Sequence, residues 1–349
     1  MTAPFRIDLV SDTATRPCEA MRRAMAGAEV GDEQRGEDPT VNALNERVAG
    51  LLGQERALFL PSGTMCNQIA LAVHCNAGDE IVAAANAHIV SSEAAGAAVF
   101  ARSVIRNIPV ANGIFTVDQL RSAIRPNREK SPRSRLVSVE QTANRGGGSV
   151  WPLDVLAAIV ETARDHRLGL HMDGARLMNA VVASGVDASR FASPFDSVWL
   201  DMSKGLGCPV GGVLAGSAGF IEEANAWKHR FGGAMRQAGI LAAAGLYALD
   251  HNVERLAQDH ANARAFARMV AEIPGMRILN PEVPTNLVFF DVSGTGRKTA
   301  ELGNRLASRG VRIGAESASE MRAVFHLGVD AAGTEEAARA LADAARDVR

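Results

Sequence analysis

The sequence predicts an α/β protein, with a large domain on a mostly parallel sheet covered by helices on both faces and a smaller α+β C-terminal domain. Three observations predict it. Short apolar runs alternate with helical patterns from Arg56 to Met202, the rhythm of parallel strands joined by crossover helices. Several of these runs end in glycine-bearing polar turns, which places side chains at strand C-termini, where such sheets bind ligands. After Met235 the pattern shifts to a long alanine-rich helical stretch and then to shorter strands. We therefore expect residues 16–248 to form the large domain and residues 249–349 the small one.

Composition narrows the function. The chain has 349 residues, 47% hydrophobic and 22% charged, enough for a large core. A formal net charge of -2 offers no electrostatic case for nucleic acid or an anionic membrane, so a small-molecule partner is expected. No run reaches the roughly 18 apolar residues of a membrane span, and MTAPFRIDLV lacks a basic region followed by an apolar stretch; the expected location is cytoplasmic. Cys18, Cys66, Cys75 and Cys208 show no paired C-x-x-C spacing and read as free thiols, Cys208 standing near enough to Lys204 to line a site. No set of residues has useful metal-ligand spacing.

In chain order, IDLVSDTATRP is an extended segment and CEAMRRAMAGAEVG is helical, followed by the loop GDEQRGED. Asp38-Pro39-Thr40 supplies an N-cap with proline at the first helical position, and Val41, Leu44, Val48, Leu51 and Leu52 keep helical spacing up to Gly53. Strands are expected at Arg56–Pro61, Glu80–Ala84, Ser103–Ile108, Arg135–Val139, Gly169–Met172 and Val198–Met202, and helices at Met65–Cys75, Ser91–Phe100, Val117–Ile124 and Leu153–Asp165. The alanine-rich stretch reads as a connecting helix pair stopped at Pro274-Gly275. Strands at Met276–Leu279, Asn286–Val292, Val311–Ile313 and Met321–His326 and helices at Lys298–Arg309 and Glu335–Val348 complete the expected small domain.

The chain is organised around SVWLDMSKGLGCPVGG, residues 197–212. An apolar run delivers Lys204 into a glycine-rich loop, which suits a semi-buried lysine capable of Schiff-base chemistry; the alternative is a solvated surface lysine. Ser62-Gly63-Thr64 lies between a strand and a helix, where free N–H groups suit a phosphate, or simply make a capped turn. In HMDGAR, Asp173 at a strand end can accept from a protonated ring nitrogen and Arg176 can hold a carboxylate, or the two form a structural pair. His88, after another strand, is by itself either a structural histidine or a proton-handling group against a flat cofactor.

DLVSDTATRP, GEDPTVNALNERVAGLLG, FLPSGTMCNQIAL, AHIVSSEAAG, HMDGARLMNA, SKGLGCPVGG, GGAMRQAG and MRAVFHL, in this order over nearly the whole chain, resemble the L-threonine aldolase family. These are fold type I, pyridoxal 5'-phosphate-dependent enzymes of the wider β-eliminating lyase group. The resemblance implies that fold, with segment 1–15 contributing to the active site. It implies that Lys204 holds the cofactor as a Schiff base, that Asp173 partners its ring nitrogen, that Gly63 and Thr64, beside Ser62, bind its phosphate, and that His88 stacks on its ring. Ser11, Arg176 and Arg322 would receive the substrate carboxylate, and Arg236 would face the site across a subunit boundary, in a homotetramer or homodimer. The implied catalytic residues are Lys204, His88 and Asp173. The implied reaction cleaves a β-hydroxy-α-amino acid, such as L-threonine or L-allo-threonine, to glycine and an aldehyde, with His88 or a water it holds as the base. Another lyase reaction such as β-elimination, or cofactor binding without turnover, are the alternatives.

Four positions depart from the family pattern: Val10 stands where arginine is usual, Arg35 in place of tyrosine, Ala143 in place of histidine, and Lys130 roughly where some members place another histidine. Arg35 and Lys130 raise the expectation of an anionic substrate side chain, against Arg35 as a solvated loop residue.

Overall fold

Two sheets organise residues 5–126 and 128–346, which this computed structural model describes. Residues 1–4, 127 and 347–349 lie outside them, and with these the start of segment 1–15 and the end of the helix expected at Glu335–Val348. The strands are β1 (Ile7–Leu9), β2 (Arg56–Leu60), β3 (Asp79–Ala84), β4 (Val104–Ile108), β5 (Arg133–Glu140), β6 (Gly169–Gly174), β7 (Ser197–Asp201), β8 (Gly212–Gly216), β9 (Arg277–Ile278), β10 (Leu287–Asp291), β11 (Val311–Ala315) and β12 (Glu320–Val324). The larger sheet has the order β2-β8-β7-β6-β5-β3-β4 and the smaller β1-β11-β12-β10-β9.

In the larger sheet β4, β3, β5, β6 and β7 run parallel, and β8 is antiparallel to both its neighbours. Strands β3, β7 and β8 are buried along their whole length and β5 from Leu136 onward, whereas the edge strand β4 exposes Val104, Arg106 and Asn107. The helix Pro39–Leu52 begins as expected: the Asp38 carboxylate accepts from the Val41 N–H at 3.0 Å, and Gly53, at φ 65°, ends it. The alanine-rich stretch forms two helices, Gly239–His251 and Leu256–Ala271. Each sheet has its own buried apolar cluster. β1 pairs in parallel with β11, Ile7 opposite Val311, which ties the N-terminal segment into the smaller sheet. No helix among the described residues is long and apolar enough to cross a membrane.

Two differences from expectation matter. The helix expected at Ser91–Phe100 is two short helices, His88–Ser91 and Gly96–Val99. Between them Glu93 turns fully inward, and Ala94 and Ala95 take positive φ values of 51° and 59°, strain that the buried bonds of Glu93 offset. Strand β8, too short and glycine-rich to announce itself, wedges between β2 and β7.

Candidate active site

A cavity of about 440 Å³ lies where the C-terminal edge of the larger sheet meets the smaller sheet. Ser62, Gly63 and Thr64 follow β2, His88 follows β3, Asp173 and Arg176 lie at the end of β6, and Lys204 follows β7. Ser11, just beyond β1, and Arg322 on β12 supply the opposite wall. Arg236, expected at the site, is elsewhere in its own chain: it is exposed and ion-paired with Asp32 at 2.8 Å.

Beyond β7 the chain doubles back, the Met202 N–H donating to the Gly211 carbonyl and the Cys208 N–H to that of Met202. Gly211, at φ 109°, has the Phe59 ring 2.5 Å from where a Cβ would stand, so glycine alone fits there. The Lys204 side chain is 18% exposed, its Nζ 3.0 Å from the Asp201 carboxylate. Asp201 also accepts from the N–H and hydroxyl of Ser203, at 2.7 and 2.9 Å; a carboxylate anchored by its own turn thus steadies the amine. The Thr15 hydroxyl donates to the Lys204 carbonyl at 2.9 Å. Cys208 is buried off the cavity wall.

Asp173 is 2% exposed and accepts from Asn67 Nδ2 at 2.8 Å and from the Ala175 N–H at 3.0 Å. Burial, then Glu140 beside it, push its carboxyl up to about 6, opposed by Lys204 and Asn67, so an N–H cation placed against it would be strongly favoured. Arg176 is buried and grips Asp12 with two nitrogens, Nε at 2.7 Å and Nη2 at 2.8 Å, which leaves the second Nη2 hydrogen and both of Nη1 uncommitted to Asp12. The Arg322 guanidinium lies 3.1 Å from the Glu316 carboxylate and donates to Asn144 Oδ1 and the Val10 carbonyl.

His88 donates its backbone N–H to Glu140 at 2.7 Å, and its Nδ1 lies 2.8 Å from Glu93. A carboxylate accepts only, so the Nδ1–H donates and the neutral ring keeps its lone pair on Nε2. That bond raises the imidazole pKa, against burial. At the start of helix Gly63–His74 the Ser62 hydroxyl accepts from the Met65 N–H at 3.2 Å, while the N–H groups of Gly63 and Thr64, in the first turn, have no acceptor within the helix. A Cβ on Gly63 would stand 2.1 Å from the Trp199 ring.

This constellation has relatives. The sequence profile of the β-eliminating lyase family matches residues 8–293. The chain is 43% identical to the low-specificity L-threonine aldolase of Escherichia coli over 93% of its length and 94% of the relative's, and 39% identical to a low-specificity L-threonine aldolase of Arabidopsis thaliana over 92% and 91%. The chain belongs to the L-threonine aldolase group of the β-eliminating lyase family. Its fold matches that of the Leishmania major threonine aldolase structure with a TM-score of 0.82, covering 96% of this chain and 98% of the other at 19% identity.

Within this family the four departures fall in different places. Arg35 is 73% exposed with Asp32 at 3.8 Å, and Lys130 is exposed on its loop; neither lines the cavity of its own chain. Ala143 is buried against the loop carrying Gly113. Val10 serves through its carbonyl. Sequence reasoning missed Arg145, a cation that does line the cavity, 3.7 Å from Glu316. It also missed Asp12, Asn67, Glu93 and Glu140. For Glu93 the available signal was an acid set among alanines and glycine in SSEAAGAA, unusual for a segment read as a half-buried helix.

Proposed function

We propose that the protein is a pyridoxal 5'-phosphate-dependent aldehyde-lyase that cleaves a β-hydroxy-α-amino acid of the L-threonine or L-allo-threonine type to glycine and an aldehyde. The observation that carries this reading is the meeting of the Lys204 amine and the buried Asp173 carboxylate on one cavity, in a chain 43% identical to an L-threonine aldolase.

The donor set fits the cofactor. The raised Asp173 carboxyl gains most from a protonated ring nitrogen, the Gly63 and Thr64 N–H groups with the Ser62 hydroxyl suit a phosphate, and Lys204 offers the amine for its carbonyl. When bound, pyridoxal phosphate supplies a conjugated ring that accepts the electron pair of the breaking Cα–Cβ bond. Asp173 holds the proton on the ring nitrogen. Arg322, Ser11 and the donors of Arg176 not held by Asp12 would take the substrate carboxylate and so set the direction of the Cα–Cβ bond. His88, with Nδ1 committed to Glu93, takes the β-hydroxyl proton at Nε2, directly or through a water.

Reconstituted with pyridoxal phosphate, the protein is expected to be yellow and to release glycine and acetaldehyde from L-threonine, and Lys204→Ala to lose both the colour and the activity. A keto acid and ammonia in place of those products would overturn the aldolase reading. A colourless, inactive protein would overturn the enzyme reading.

The same reading makes Arg236 a contributor to the site of a second copy, in a homodimer or homotetramer. Its support is that Asp32 draws both Arg236 and Arg35 to one exposed surface, at 2.8 and 3.8 Å. The separation of the buried clusters on the larger sheet from the one on the smaller sheet supports a large domain of residues 16–248 and a small one of 249–349, with Leu256 packing into the larger and segment 1–15 adding Ser11 to the site. The free thiols of Cys66, Cys75 and Cys208 support a reducing, cytoplasmic setting.

A further inference from the structure

Asn67, fully buried one turn into helix Gly63–His74, uses every hydrogen-bonding position of its amide. Its Nδ2 donates to Glu93 Oε1 at 2.7 Å and to Asp173 Oδ2 at 2.8 Å. Its Oδ1 accepts from Trp199 Nε1 at 2.8 Å and from His171 Nε2 at 3.0 Å. The amide has one orientation, because two carboxylates can only accept and an indole N–H can only donate. It follows that His171 carries its proton on Nε2, that the Ser197 hydroxyl donates to His171 Nδ1 at 2.8 Å, and that Ser197 Oγ accepts from His74 Nε2 at 2.7 Å. Burial lowers the pKa of His171 to about 3 and of His74 to about 4, so both rings stay neutral and keep this pattern. The donors run one way, from His74 through Ser197, His171 and Asn67, and end on the two acids.

Those acids are the ones the site depends on. Glu93 takes His88 Nδ1 on the oxygen it shares with Asn67 and Gln68 Nε2 on the other, at 2.6 Å. A ring nitrogen of His88 and a carboxylate oxygen each of Glu93 and Asp173 all lie within 4.8 Å of one another. Glu140 from β5 adds a further negative charge beside Asp173, and Lys204 the opposing positive one. Like charges this close favour taking up a proton or moving apart, and the two Asn67 hydrogens stand between them.

We propose that Asn67 is the positioning residue of this site, a single amide that sets both the Asp173 carboxylate and the Glu93–His88 pair in place for the cofactor. This rests on the reading that the cavity takes pyridoxal phosphate. The test compares Asn67→Leu, His171→Leu and His171→Gln with the parent by cofactor dissociation constant, pH midpoint of the cofactor's visible absorption band, kcat, KM and thermal melting. Asn67→Leu is expected to weaken cofactor binding about tenfold or more and to move the midpoint by about one pH unit, as expected for a lost bond to a charged group. KM for L-threonine should change far less than kcat, since Arg322 and Ser11 are untouched. His171 lies off the cavity wall and donates to Asn67 Oδ1 at 3.0 Å: His171→Leu should move the midpoint in the same direction by less, and His171→Gln, which keeps a donor, should restore it. Folded Asn67→Leu protein with parental cofactor affinity and midpoint overturns the proposal. If Asn67→Leu does not fold, an unchanged midpoint in folded His171→Leu overturns it. A parent that gives no visible band with pyridoxal phosphate overturns the functional reading instead.

Discussion

Asp12 and Arg176 form a buried ion pair whose arginine lines the cavity. Burial alone would raise the Asp12 carboxyl, yet the Arg176 guanidinium outweighs it and lowers the pKa to about 2. A carboxyl lowered on folding stabilises the protein fully above its unfolded pKa near 4, and that stability, about 2 kcal/mol, is lost as the pH falls towards 2. Asp12→Asn leaves a buried guanidinium without its counter-charge and is expected to lower the unfolding free energy at pH 7 by roughly 3–5 kcal/mol. It should also flatten the stability profile between pH 4 and pH 2; urea unfolding at pH 7, 4 and 3 checks both, and a parental acid slope would refute the assignment. Asp173 acts with the opposite sign in the cofactor-free protein: its carboxyl, raised to about 6, loses stability as the pH rises from about 4 to 6. At this scale Lys204 and Asp173 were legible because a charged residue closing an apolar strand is conspicuous. Asp12 was not, because its meaning lies in Arg176, a partner 164 residues away in the turn after β6.

At the scale of elements, the strand-to-helix turns carry the site. The run into Lys204 was readable because an apolar strand followed by glycines permits few other structures. The Ser91–Phe100 segment was misread because its composition is helical, and only the inward pull on Glu93 from helix Gly63–His74 breaks it. The turn after β2 has no such slack. Gly63→Ala would set a methyl group 2.1 Å from the Trp199 ring, itself held by Asn67, and is expected to cost about 1–3 kcal/mol of stability through overpacking. It should weaken cofactor binding more than substrate binding, since the first N–H groups of the helix shift with it. Titration of the purified variant with pyridoxal phosphate measures this, and parental affinity would show that the turn relaxes freely.

At the scale of the molecule, the site sits between two sheets that meet only in the folded chain, and Arg236 reaches the site, on our reading, only from a second copy. Mixed dissociated and reassociated Lys204→Ala and Arg236→Ala proteins are expected to regain activity, up to about a quarter of the parental sites in a randomly mixed dimer, since a hybrid carries one intact shared site. No recovery, with Arg236→Ala shown to be inactive alone, would place Arg236 outside catalysis across the boundary. The small sheet matters here because β1 and β12 bring Ser11 and Arg322 to the cavity wall from opposite ends of the chain.

By itself the sequence determined the α/β class and the alternation of strands and helices, and it singled out Lys204, Asp173 and the Ser62–Thr64 turn as candidates. Periodicity and turn chemistry act over a few residues and survive without a fold. Only the tertiary structure decided that Arg176 belongs largely to Asp12, that Arg145 rather than Arg35 or Lys130 lines the cavity of its own chain, and that Asn67 joins Asp173 to Glu93 and His88. These are long-range pairings of buried polar groups, and burial, which demands that each donor find its acceptor, is a property of the folded molecule alone.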